Sequence, residues 1–255
     1  MKYILYLVLN YLNQLTMRKI ISIILLLLTV HVNSQIVELR PVKVPAEHTE
    51  YFENIHTEYS IKTAQDAKDK GKLYGWWVAK RLNTTEEDFN YLFITVHPSI
   101  ESFTNNEYWW QNSEEVTGYK SEILYKMADL FEFDKQYLYQ VEMQIPDAAE
   151  AKYLIINFAT PDDLNKVLKE SKEIVMPHFQ KNLIKSGMVG WGVATKITPQ
   201  GSDYSSFSTW DSYDSLENMM KHLGGGAAIE GLPLNKLTPI QWSMRPVFRV
   251  ITGTK

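Results

Sequence analysis

The residues able to do chemistry in this chain of 255 begin with six histidines and no cysteine. Without a thiol there is no disulfide, no thiolate nucleophile and no cysteine metal site. His31 lies in an apolar leader. His48 and His56 stand eight residues apart on one helical pattern, which is two turns, whereas a metal held from one helix needs ligands three or four apart. No metal site and no cofactor are expected. His97 ends an apolar run beside Pro98 and reads as a turn residue. The second half holds the most suggestive arrangement. Gly190, Gly192 and Ala194 fall on one face of a strand, near the hydroxyls of Ser206 or Ser208 and the flat ring of Trp210. Small residues leave volume, and an apolar cleft with a few polar groups is the usual form of a small-molecule site. The expected ligand site is Gly192, Ser206, Ser208, Trp210, His178 and His222. Trp77 stands in the first half where Gly192 stands in the second, so the first half reads as filled and the second as hollow.

Two tryptophan pairs add to this. Trp76 and Trp77 are neighbours on a strand and therefore face opposite sides, so only one of them can line a given pocket. Trp109-Trp110 lies in the polar stretch from Asn105 to Ser113 and reads as an exposed patch, more often an interface than a catalytic site.

The elements that must position these residues recur along the chain. Pro45 opens a helical stretch that Gly71 closes, and Pro161 opens another that Gly187 closes, each pair 116 residues apart. At an offset of 115, Gly75-Trp76 answers to Gly190-Trp191 and Asp88-Phe89 to Asp203-Tyr204. A repeat of this length is a duplicated domain. Each half reads βαββαβ, with Pro177 expected to kink or divide the first helix of the second half. The seventh of the eight strands is expected over residues 204–210 and the eighth over 242–251. Leu92-Phe93-Ile94 and Tyr153 to Ile156 are apolar at successive positions, so both faces of the sheet are buried. Helices cover one face, and the other must meet a second sheet. The fold class is α+β: two tandem ferredoxin-like βαββαβ repeats, residues 35–146 and 147–255, packed sheet to sheet.

Residues 1–34 read as an export signal. Arg18-Lys19 supply the positive start, Ile20 to Val30 the apolar core, and Val32 and Ser34 the small residues before a cut at Gln35; Met17 is the expected initiator. The destination is periplasmic or secreted, with no anchor left after cleavage. Losing Lys2, Arg18 and Lys19 and no acid moves the net charge from −4 to −7. Nucleic acid and anionic membrane surfaces need clustered Lys and Arg and are poor partners for such a chain.

Two signatures carry a resemblance. One is a first helix ending in Gly before a Gly-Trp strand, at Gly71…Gly75-Trp76 and Gly187…Gly190-Trp191. The other is the run from Phe207 to Leu216, an apolar strand reaching Trp210-Asp211-Ser212 and leading into a helix. Together they resemble the dimeric α/β-barrel superfamily, in particular its antibiotic-biosynthesis-monooxygenase-like and NIPSNAP-like members. The resemblance implies two ferredoxin-like units closed into one intrachain barrel, a monomer acting as a pseudo-dimer. Haem-degrading members carry a working Trp on the helix after this junction and a His beyond it. Here the matching position is Met219 and no His falls near Ile229, so the resemblance speaks against haem chemistry; Asn157 answers to the family's strand Asn.

No catalytic constellation is legible. Two functional readings follow: an exported module that binds a small apolar or aromatic ligand or serves as an interaction surface, and a cofactor-independent monooxygenase-like enzyme, lyase or isomerase working in the second-half cavity through His178 or His222.

Overall fold

The computed structural model describes residues 35–255 apart from 86, 87, 107, 148, 227 and 228 and the side chain of Ile184; the expected export signal lies outside the described residues. Ten strands are present among them: β1 (Ile36–Lys43), β2 (Gly75–Arg81), β3 (Tyr91–His97), β4 (Glu132–Phe133), β5 (Tyr137–Ile145), β6 (Tyr153–Ala159), β7 (Met188–Thr198), β8 (Phe207–Tyr213), β9 (Trp242–Met244) and β10 (Val247–Gly253). Hydrogen bonding runs β2-β3-β1-β5-β7-β8-β6-β10, and β10 returns to β2. All these pairings are antiparallel, so eight strands close a barrel. Closure removes the free edges that would otherwise template aggregation. Strands β4 and β9 add short flaps beside β1 and β6.

Among the described residues six α-helices lie outside the barrel. Helix α1 runs through Thr49–Ile55, a π-helical segment at His56–Ser60, and Ile61–Asp69. Three short helices follow β3: α2 (Ile100–Asn105), α3 (Ser113–Thr117) and α4 (Ser121–Leu124). Helix α5 comprises Leu164–Glu170, a π-helical segment at Ser171–Val175, and Met176–Ser186; α6 is Leu216–Leu223. Side chains of Ser99, Asp163 and Ser215 accept from backbone N–H groups at the starts of α2, α5 and α6, satisfying donors that have no partner inside the helix. Gly71 and Gly187 follow α1 and α5 at φ 72 and 75, where a Cβ would be strained. At Gly187 a Cβ would also collide with the Asn218 side chain, so glycine is required twice over.

The strands that read as apolar on both faces are so because each face has its own core. Leu39, Leu92, Ile94, Tyr139, Ile156 and Phe248 fill the barrel interior. Phe52, Trp76, Tyr91 and Trp109 pack between the first strands and α1, and Ile155, Phe179, Trp191, Phe207 and Met219 between the later strands and α5 and α6. Around the barrel the pairing order β2-β3-β1-β5 of the first half is matched by β7-β8-β6-β10 in the second.

Three expected boundaries move. Strand β8, the seventh expected one, starts and ends three residues later than its pattern, because Asp211, Ser212 and Tyr213 continue the ladder against β6. The last strand divides at Arg245-Pro246, where Pro246 brings no N–H and its carbonyl instead accepts from Ile156 N. Helix α5 continues through Pro177, and its irregularity is the π-helical turn just before the proline. Helix α1 carries the same kind of turn without a proline, so a turn of this kind does not require one.

Candidate functional site

Strand alternation separates the residues expected to form one site. Gly192, Ser208 and Trp210 face the barrel interior, where Gly192 pairs with Trp210 and Ala194 with Ser208. Ser206 lies just before β8, half-buried, its carbonyl accepting from Lys196 N. His178 is on α5 beside Phe179, and His222 on α6 beside Tyr213, both among the elements outside the sheet. The sheet therefore stands between either histidine and Gly192. Nor is there a hollow beside that glycine. A Cβ there would collide with Cζ2 of Trp210, whose indole already fills the space. The expectation of a hollow second half served by His178 or His222 is corrected by these two facts.

An aromatic cavity of about 290 Å3 lies instead on the outer face of the first half. Its floor is Trp76 of β2 with Phe93 and Thr95 of β3, and Glu38 and Arg40 of β1 stand at one side. Helix α1 roofs it with Tyr51, Phe52, Ile55, His56 and Ser60. Trp109, Trp110, Tyr125 and Phe131, from the segment between β3 and β5, close the remaining wall. Trp109 is only 8% exposed, so the expected surface patch is a pocket wall. Trp76 faces this cavity while Trp77 turns inward, its indole lying over Gly75 and Gly253.

His56 is the polar centre of the cavity. Phe52 and Phe93 meet its ring edge to face at 4.4 and 4.9 Å, and Tyr125 stacks at 6.2 Å. Its Nδ1 lies 2.8 Å from Ser60 Oγ, which in turn lies 3.0 Å from the Tyr125 hydroxyl and 3.3 Å from the Ile55 carbonyl. Burial holds the imidazole pKa down at about 3 and pushes the Tyr125 hydroxyl up, so both groups are neutral near pH 7. At the β1 side, burial raises the Glu38 pKa. Hydrogen bonds from His97 and Gln136 and the charge of Arg40 outweigh this and hold the carboxyl below its usual range. Arg40 lies 3.6 Å from Glu38, and its Nε is buried without a partner among the described residues. The cavity thus offers an aromatic slot with a neutral imidazole inside and an ion pair at its side.

Two further polar regions are present. A wider cavity of about 660 Å3 opens at one end of the barrel over Leu39, Leu92, Phe158 and Phe248, rimmed by Glu132, Asp134, Asp203 and Lys43. Beneath α6, Asn157 Nδ2 donates to Thr209 Oγ1 and Asp211 Oδ2, and its Oδ1 accepts from Arg245 Nε. Burial raises the Asp211 pKa and lowers that of nearby His222. Among the described residues no group of three or more metal-ligating side chains occurs, and no helix is long and apolar enough to cross a membrane.

No protein-family model and no curated protein matches this chain. Solved structures do. A protein of Fusobacterium nucleatum named "Putative monooxygenase" matches with a TM-score of 0.57 at 10% identity over 87% of this chain and 94% of that one. A chlorite dismutase of Candidatus Nitrospira defluvii matches at 0.50 and 6% identity, over 86% and 91%. A heme-binding protein of Thermus thermophilus matches at 0.50 and 10%, over 85% and 91%. The shared architecture is the dimeric α/β-barrel fold. At these identities the likeness is one of fold, and fold does not carry function.

Sequence reasoning excludes His56 as a metal ligand and does not single out Ser60, Tyr125 or Arg40. Phe52, His56 and Ser60 do recur at four-residue spacing on α1, which marks one face of a helix. That the face covers an aromatic hollow depends on residues 109–131, far along the chain.

Proposed function

We propose that the protein is an exported binder of a small apolar or aromatic molecule, held in the cavity beneath α1. The observation that carries this reading is the aromatic cavity of about 290 Å3 with one buried, neutral imidazole in its wall. Ligand sites are mostly apolar with few polar groups, and this volume is at the small end of their range of roughly 300–1,000 Å3. The module is read as two tandem ferredoxin-like repeats, 35–146 and 147–255. Support comes from the matched pairing order, the π-helical turns at His56–Ser60 and Ser171–Val175, and the positive φ of Gly71 and Gly187. Export rests on the charge and apolar pattern of residues 1–34.

The second reading is a cofactor-independent monooxygenase-like enzyme, favoured by the name of the Fusobacterium structure. Its acid–base group would be His56 rather than His178 or His222, because His56 alone of the three lines a described cavity. An imidazole held at about 3 is a weak base near neutral pH, and binding is the better supported role. The wider cavity has no histidine in its lining to hold a haem iron, and Tyr137, Tyr139, Tyr204 and Met244 are the side chains there that could reach one.

Mass spectrometry of the native protein tests the reading: a co-purifying aromatic molecule is expected. Failure to find one, together with unchanged tryptophan fluorescence on adding naphthalene and 2-naphthol, would remove the cavity as a ligand site.

A further inference from the structure

The hydrogen bonds around Ser60 determine what His56 presents to the cavity. Ser60 has one hydroxyl proton and three polar neighbours: the Ile55 carbonyl, the Tyr125 hydroxyl and His56 Nδ1. A carbonyl only accepts. All three contacts become hydrogen bonds when Ser60 donates to Ile55 O and accepts from both Tyr125 Oη–H and His56 Nδ1–H. If Ser60 donated to His56 instead, the Ile55 contact would be lost. A buried network settles in the arrangement with most partners satisfied. His56 is then the Nδ1–H tautomer, and its Nε2 carries a lone pair. That nitrogen has no partner among the described residues, and the ring lines the cavity. A neutral acceptor in an apolar slot favours a ligand that donates, since an ether or a bare hydrocarbon would leave the lone pair buried without a bond.

We propose that the ligand of this cavity is a phenol: an aromatic ring in the slot whose hydroxyl donates to His56 Nε2. This rests on the cavity being the ligand site. The pKa of about 3 agrees with it, because the imidazole stays unprotonated across the ordinary pH range. A charged His56 would have two donors and no acceptor.

Three probes of one ring system separate this inference from the reading beneath it: 2-naphthol, 2-methoxynaphthalene and naphthalene, titrated into the full protein with tryptophan fluorescence as the signal. The naphthol should bind about tenfold more tightly than the methyl ether. The preference should hold from about pH 5 to 8 and vanish in His56→Phe. Nitrogen NMR of the unsubstituted protein should show His56 protonated at Nδ1 and bare at Nε2. Equal binding of all three probes, or a proton on Nε2, would overturn the phenol while leaving the cavity a ligand site. Binding of none would overturn both.

Discussion

Trp210 on β8 pairs directly with Gly192 on β7, and its indole lies in the space that a side chain at the glycine would take. The strand keeps glycine at that place because its neighbour's ring covers it. Gly192→Ala should therefore destabilise by roughly 1–3 kcal/mol through overpacking, read as a lower denaturant midpoint at unchanged slope. A neutral or stabilising result would mean the indole moves aside freely.

Phe52 is 1% exposed and touches His56, Tyr91, Phe93 and Phe131. Phe52→Ala is expected to cost about 3–5 kcal/mol, the usual range for deleting a buried ring. Chemical unfolding monitored by circular dichroism measures it. A loss below about 1 kcal/mol would show that the roof of the cavity collapses to fill the gap.

Acid should weaken the fold through His56. Its pKa falls from 6.5 to about 3 on folding, because burial disfavours the charged ring. Between those values the unfolded chain holds a proton that the folded chain refuses. Stability is therefore full above the unfolded value and declines as pH drops towards the folded one, by up to roughly 1.4 kcal/mol per pH unit. His56→Phe removes this contribution. Its denaturant midpoint should lose less than that of the unsubstituted protein between about pH 7 and 5; parallel profiles would show that the imidazole is protonated in the folded state.

Asn157 is 2% exposed and joins Thr209, Asp211 and Arg245. Asn157→Leu strands a buried carboxylate and the Arg245 Nε together, at an expected cost of about 2–4 kcal/mol. Adding Asp211→Leu to that variant should recover part of the loss, since it removes the unpaired carboxylate. A double-mutant cycle without coupling would show that Asn157 supports the site by packing alone.

The two chain halves meet along β5–β7 and β10–β2 and share the barrel interior. A fragment of residues 35–146 would expose both edges and its inner face. It should lack a sharp melting transition alone and regain one on mixing with residues 147–255. A stable, soluble monomer from the first fragment would show that the interior core is dispensable.

Much of the architecture was legible in the residues because it is periodic and local. The strand–helix order follows from runs of apolar residues, the helix ends from Gly71 and Gly187, and the opposed faces of Trp76 and Trp77 from strand alternation. The location of the cavity was not legible, because volume is set by what crosses from other strands and segments. Gly192 signals free space only until Trp210 of the next strand is laid over it, and a pattern along one strand carries no information about the length of its neighbour's side chain. Trp109 reads as exposed in its polar stretch and becomes a pocket wall only when that stretch folds back onto α1. By sequence His56 is marked only as a residue on one face of a helix. Tertiary packing alone decided its burial, its neutrality and the direction of its lone pair, because desolvation and hydrogen-bond partners belong to the assembled site.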